Sequence, residues 1–355
     1  MHMNSIQILD TTLRDGSYAV NFSFTSADTS LICKDLENAG IEYIEIGHGV
    51  GLNASNCEQG PAFQTDEEYL DAARSVLTKA KYGMFCIPKI AELKDIDKAA
   101  EYGMGFIRIG TNITEVPNSE AYIKRAKDYG MFVTANFMKS YVCPPEKFAE
   151  HVVLSENYGS DLVYLVDSSG GMFQNNITEY YNEVRKVSDI PLGFHGHNNL
   201  GLAVANTLCA ADLGFEFLDA SLQGLGRSSG NAPTEQLLAA LIKKGYNLNI
   251  DVLKIMELGQ TYIQPLLNSK GYMLLDVVSG FSDFHSSYMH HIHKVSSKYL
   301  IDPALLIMEW CKIDKINMDE TRLEEIAQKI KQDTEKEIYL GKHRFNNYFG
   351  REQDV

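Results

Sequence analysis

Along the first two thirds of the chain, short apolar runs alternate with stretches of helical period. The runs are IQILD (Ile6–Asp10), YIEIG (Tyr43–Gly47), YGMFCIP (Tyr82–Pro88), GFIRIG (Gly105–Gly110), MFVTANF (Met131–Phe137), LVYLVD (Leu162–Asp167), PLGFHGH (Pro191–His197) and FEFLDASL (Phe215–Leu222). Their length and their β-branched and aromatic content suit strands buried on both faces, as in a parallel sheet. Between them lie amphipathic stretches such as Asp28–Ala39, Asp66–Ala80, Ser119–Tyr129 and Asn176–Val187, and Gly40, Gly130 and Gly214 stand where helices should stop. Eight strand–helix units over about 240 residues predict a closed (β/α)8 TIM barrel. A doubly wound sheet shares the alternation, but more often carries GxGxxG after its first strand, where this chain has DTTLRDG.

After Leu241 the pattern turns helical, with helices expected over Val252–Leu258, Gln260–Leu267, Ser286–Lys298, Pro303–Cys311 and Asp319–Gln332. The expected organisation is a catalytic barrel over 1–245, a C-terminal helical appendage over 246–340 and a polar tail over 341–355.

Composition narrows the function classes. Among 355 residues, 45% are apolar and 22% charged, and 47 acidic against 32 basic residues give a net charge of −15. That balance repels nucleic acid and anionic membranes, so neither is expected as a partner. No apolar run approaches the roughly 20 residues that span a bilayer. The first residues lack the basic-then-apolar order of a signal peptide. Six cysteines are scattered singly with no CxxC pair, which reads as reduced thiols in a cytoplasmic protein.

A barrel places its chemistry at the C-terminal strand ends. Those ends hold Arg14 and Asp15, Glu45 and His48, Arg108, Asn136 and Lys139, then Asp167-Ser168-Ser169, His195-Gly-His197-Asn-Asn and the loop Gln223–Asn231. His195 and His197 are the strongest signal, because residues i and i+2 of a strand face the same side and two imidazoles can share one ion. Asp15 is the best completing carboxylate, since only one strand separates the first from the seventh. Such a set suits Mn²⁺, Fe²⁺, Co²⁺ or Zn²⁺, and less obviously Mg²⁺.

DTTLRDG, GFHGHNNLGLAVANT and GRSSGNAPTE resemble the metal-dependent pyruvate-aldolase and acyl-transfer barrels related to hydroxymethylglutaryl-CoA lyase and isopropylmalate synthase. IEIGHGVGL, VDSSGGM and DASLQGLGRSSGNAP are most similar to the 4-hydroxy-2-oxovalerate aldolase branch. The resemblance implies a divalent metal, Mn²⁺ before Mg²⁺, Co²⁺ or Zn²⁺, on Asp15, His195 and His197. Asn231 would be an additional ligand or a hydrogen-bonding neighbour. It implies cleavage or formation of a 4-hydroxy-2-oxo acid through a pyruvate enolate held on the metal, giving pyruvate and a short aldehyde. Arg14 would neutralise the enolate oxygen, Glu45 would orient Arg14 or a water, and Ser168 and Asn136 would bind the 2-oxo acid. Relatives also form homo-oligomers and pair with an acylating aldehyde dehydrogenase through the helical region.

The chain departs from that branch where its acid–base pair should stand. Tyr18 occupies the position of a catalytic histidine, and His285, in FHSSY, the position of a tyrosine. One reading is an inverted dyad, with His285 as base and Tyr18 as its hydrogen-bonding partner, because imidazole titrates near neutrality and phenol does not. Lys139 as a Schiff-base lysine is unnecessary beside a metal set. Tyr288, Met289 and Trp310 are expected to pack helices, and His290, His291 and His293 to lie on a solvated or packed helix. A Claisen-type acyl-CoA/2-oxo acid synthase is the runner-up, weakened by RDGSY where synthases carry RDGxQ. A non-catalytic partner subunit is the third reading, opposed by the intact Arg14, Asp15, His195 and His197.

Overall fold

The computed structural model describes residues 6–57, 59–267 and 274–334. Eight parallel strands close in chain order: β1 (Gln7–Asp10), β2 (Tyr43–Glu45), β3 (Lys81–Cys86), β4 (Phe106–Asn112), β5 (Phe132–Met138), β6 (Leu162–Asp167), β7 (Leu192–Gly196) and β8 (Phe217–Ala220). β8 pairs with both β7 and β1, which closes the ring. Around it run α1 (Ser26–Ala39), α2 (Asp66–Val76), α3 (Leu93–Glu101), α4 (Glu120–Asp128), α5 (Pro145–Tyr158), α6 (Gln174–Val184), α7 (Ala203–Leu213) and α8 (Thr234–Lys243). The expected (β/α)8 barrel is the fold observed.

The period of two along each strand builds the site from the bottom up. At the lower end Tyr43, Phe106, Phe132 and Phe217 fill the interior, with Tyr43 and Phe217 ring centroids 4.8 Å apart. Two residues further along the same strands the interior turns polar, to Glu45, Arg108, Thr134 and Asp219, all buried. Gly193 on β7 likewise gives way to His195 and then His197. The barrel is thus an apolar floor under an ionic layer under a mouth.

Element ends differ from expectation where tertiary contacts intervene. β2 stops at Glu45 because Gly47 turns left-handed, at φ +92°. α2 stops at Val76, not Ala80, because the Glu37 carboxylate of α1 accepts the N–H groups of Thr78, Lys79 and Ala80 in place of helix carbonyls.

Beyond α8 come α9 (Val252–Leu258), α10 (Leu274–Ser282), α11 (Met289–Tyr299), α12 (Pro303–Cys311) and α13 (Glu320–Thr334). Ile255 and Ile263 pack with the barrel core. A separate core of Leu275, Met289, Ile292, Leu306, Trp310 and Leu323 unites α10 to α13. α10 was not foreseen: its LLDVVSGFS has weak helix formers, and its place depends on Gly280 lying against Asn199 and Leu200, where a Cβ would come within 2.9 Å of Asn199 Cβ. The helix expected over Ser286–Lys298 begins instead as a 3₁₀ turn, Ser286–Tyr288. All six cysteines are free. Among the described residues no helix is long and apolar enough to cross a membrane. The expected polar tail, 341–355, lies outside the described residues.

Candidate active site

The turn after β1 is braced by Asp10, whose carboxylate accepts from Thr12 N and Thr12 Oγ1 at 2.9 and 3.0 Å. That turn delivers Arg14 and Asp15 to the mouth. Asp15, His195 and His197 are buried there, with potential ligand atoms within 4.8 Å of one another. His195 Nδ1 lies 2.8 Å from the Asp219 carboxylate, and His197 Nδ1 lies 3.3 Å from the Gly230 carbonyl. Both partners can only accept from Nδ1–H, which in the neutral tautomer leaves the Nε2 lone pair for a ligand. Asp15 Oδ2 accepts from Asn231 Nδ2 (2.7 Å) and Arg227 N (3.2 Å), while Asn231 Oδ1 is buried with no hydrogen-bond partner. Two imidazoles, one carboxylate and a spare amide oxygen fit a divalent ion.

Charge in the layer below holds this arrangement. Glu45 Oε2 accepts from Arg14 Nε (2.7 Å) and Arg108 Nη1 (2.8 Å), and Arg108 Nη2 reaches Asp219 at 2.5 Å. Arg14 Nη1 also donates to Asp15 Oδ1 at 2.7 Å. Burial alone would raise the Asp15 carboxyl, but the Arg14 guanidinium and the Asn231 hydrogen bond hold it well below the carboxylate range. Asp219 is held low in the same way by Arg108 and His195 against its own burial. Burial lowers His197 to about 4, so it stays neutral near pH 7.

Above the triad is a cavity of roughly 240 Å³, the scale of a small metabolite. Arg14, Asp15, Tyr18, Asn136, Ser168, His195, His197 and His285 all line it. Ser168 Oγ accepts from Lys139 N at 3.0 Å, which leaves its own proton to donate, and Asn136 Oδ1 accepts from Thr134 Oγ1 at 2.9 Å. The appendage roofs the mouth with His285, Ser287 and Tyr288, and it is tied down by Arg227 Nε donating to Ser286 Oγ at 2.7 Å.

A family model described as HMGL-like matches residues 5–261. The chain belongs to the HMGL-like family. A 4-hydroxy-2-oxovalerate aldolase of Pelotomaculum thermopropionicum is 40% identical over 307 residues, 86% of this chain and 90% of that one. An oxaloacetate decarboxylase of Mycobacterium tuberculosis is 38% identical over 306 residues, again 86% and 90%. The carboxyl transferase domain of Rhizobium etli pyruvate carboxylase, solved with pyruvate, has a TM-score of 0.76 at 14% identity over 94% of this chain and 61% of that one, a likeness of fold.

Within this HMGL-like site one expected role, the orienting of Arg14 by Glu45, is kept and another, that of His285, changes. Glu45 does not line the cavity; it is a positioning residue that fixes the guanidinium groups of Arg14 and Arg108. His285 was expected as a base. Its Nδ1 instead accepts from Ser287 N (3.2 Å) and lies 2.7 Å from Ser287 Oγ, so the neutral ring carries its proton on Nε2 and donates. Burial, reinforced by the Arg227 and Lys139 charges, keeps His285 well below its usual pKa. Tyr18 and His285 do share the cavity, and the Arg227 guanidinium lies 4.5 Å over the Tyr18 ring.

Sequence reasoning missed Asp219 beneath this mouth and gave Arg227, Lys139 and Tyr288 no role in it. Asp219 could have been found, as a lone carboxylate in the apolar run FEFLDASL beside the strand that carries both histidines. Arg227, Lys139 and Tyr288 also line the cavity, which corrects the expectation that Tyr288 only packs helices. Met289 and Trp310 do pack, both 2% exposed in the second core.

Proposed function

We propose that this chain is a divalent-metal-dependent aldolase, a carbon–carbon lyase that cleaves or forms a 4-hydroxy-2-oxo acid to give pyruvate and a short aldehyde. The reading is carried by the buried Asp15–His195–His197 set with the Arg14 guanidinium tied to the same carboxylate. A divalent ion there, Mn²⁺ by expectation, would act as a Lewis acid on a substrate keto oxygen. Asn231 would add its unpartnered oxygen to that set or steady it. Arg14, which Glu45 prevents from swinging, presents a fixed cation where an enolate oxygen gains charge. Ser168 would donate its hydroxyl proton to the substrate carboxylate, with Asn136 beside it. Tyr18 and the Nε2–H of His285 would hold the substrate's 4-hydroxyl side by hydrogen bonds. A cytoplasmic homo-oligomer that passes its aldehyde to an acylating aldehyde dehydrogenase belongs to the same reading. The Claisen-type synthase is not favoured, because the relatives that span most of the chain carry aldolase and decarboxylase names.

One observation favours a second reading. His285 donates and Tyr18 replaces the branch's histidine, so neither is a ready base for a 4-hydroxyl. Decarboxylation of a 4-carbon 2-oxo diacid forms the same enolate without one. Pyruvate release from a panel of 4-hydroxy-2-oxo acids and oxaloacetate, with Mn²⁺ added, separates them. Release from a hydroxy acid, falling to background in Asp15→Asn together with exchange of the pyruvate methyl protons, is the expected result. Turnover of oxaloacetate alone would select decarboxylation, and exchange surviving in Asp15→Asn would refute the ion's place.

A further inference from the structure

We propose that Lys139, held by Tyr288, is an anion-recognition subsite for the far end of the substrate, so that the aldehyde fragment carries a carboxylate or a phosphate. This rests on the aldolase reading above. In a closed ring of eight strands in chain order, β5 stands diametrically opposite β1. Arg14 and Asp15 follow β1 and Lys139 follows β5, so a substrate that spans the mouth from the triad reaches the β5–β6 side, where Ser168 and Lys139 are neighbours. The wall it passes is apolar, formed by Phe85, Ile87, Ile90 and Met138.

Three observations set this lysine apart. It is 3% exposed yet lines the cavity, and its ammonium donates only to neutral groups, Tyr288 Oη at 3.0 Å and the Ile316 carbonyl at 2.7 Å. Tyr288 Oη donates to the same carbonyl at 2.7 Å, so toward Lys139 it acts as acceptor, and the ammonium lies 4.6 Å from the ring centroid. Two of three ammonium donors are thereby used, and the third remains for a ligand. Second, no carboxylate is hydrogen-bonded to Lys139 among the described residues; Glu115 and Asp314 act on it only through space, against Arg227, and a buried cation without a contacting counter-charge is costly. Burial accordingly lowers its pKa to about 8. An anionic substrate end would supply the missing charge. Third, the backbone at Lys139 is left-handed, φ 58° and ψ 39°, a conformation glycine adopts without strain. A lysine in that conformation is strained, and such strain gathers at functional sites. Arg227 on the facing loop adds to the positive potential.

The test runs the condensation direction on the full-length enzyme with pyruvate and Mn²⁺. It compares kcat/KM for succinic semialdehyde, glyceraldehyde 3-phosphate and uncharged butanal. The wild type should prefer an anionic aldehyde over butanal by roughly tenfold or more, the worth of one charge-assisted hydrogen bond. The preferred anion distinguishes carboxylate from phosphate. Lys139→Met and Lys139→Gln should erase most of that preference through the aldehyde KM, and Lys139→Arg should retain it. In the wild type the preference in kcat/KM should fall as pH rises through about 8, where the ammonium loses its proton. Equal use of the three aldehydes, or a preference that survives both neutral variants, overturns the subsite. So does a neutral variant that raises only the pyruvate KM. Wild-type enzyme that exchanges no pyruvate methyl protons would instead refute the aldolase reading.

Discussion

Asp219 and the Gly230 carbonyl treat the two histidines alike, each accepting from Nδ1–H and leaving Nε2 to face the site. At the residue scale this makes Asp219 as consequential as the two candidate ligands beside it. Asp219→Asn should weaken divalent-ion binding by roughly 10–100-fold, the usual loss when a ligand's hydrogen-bond partner is removed. It should also destabilise the fold by about 3–5 kcal/mol, since Arg108 then loses a buried counter-charge. Calorimetric Mn²⁺ titration and thermal melting measure the two effects, and an unchanged ion affinity would contradict the assigned role. The histidines and Asp15 were legible because their types and spacing suffice to suggest a site. The tautomer of His285 was not, because it depends on the direction of one backbone N–H two residues on.

At the element scale, the period-two alternation that buries aromatics at the bottom of β2, β4, β5 and β8 also raises the ionic layer above them, so strands and site were read together. Loops are less legible. The loop after β8 brings Gly226 so close to the triad that an added Cβ would lie 2.4 Å from Asn231 Nδ2 and 2.8 Å from Asp15 Oδ2. Gly226→Ala should therefore displace the 2.7 Å Asn231–Asp15 hydrogen bond and abolish pyruvate proton exchange. Wild-type exchange in that variant would show that Asn231 does not support Asp15.

At the scale of the whole molecule, the barrel and the α10–α13 unit have separate apolar cores joined across the mouth by polar contacts, among them Arg227–Ser286 and Asn199–Asp276. Trp310 is the single tryptophan of the chain and lies in the smaller core. Its fluorescence reports on the roof, whereas far-UV circular dichroism is dominated by the barrel. In urea the fluorescence midpoint should precede the dichroism midpoint, because the smaller core buries less apolar surface. Coincident midpoints would mean that barrel and roof unfold as one unit. The net charge of −15 characterises the surface alone; the mouth gathers Arg14, Arg108, Lys139 and Arg227.

The sequence by itself determined the barrel, through eight apolar runs at regular intervals, and the metal-binding residue types, through HxH and RDG at strand ends. Local periodicity is sufficient for both, since strand burial and the i, i+2 relation are properties of short segments. Only the tertiary structure decided that Glu45 holds Arg108 as well as Arg14, that His285 donates, and that Lys139 stands buried at the far wall. Those outcomes depend on partners remote along the chain: Arg108 and Asp219 are 111 residues apart, and Lys139 and Ile316 are 177 apart. Which side chains meet across a closed ring is set by the packing of the whole barrel and its roof.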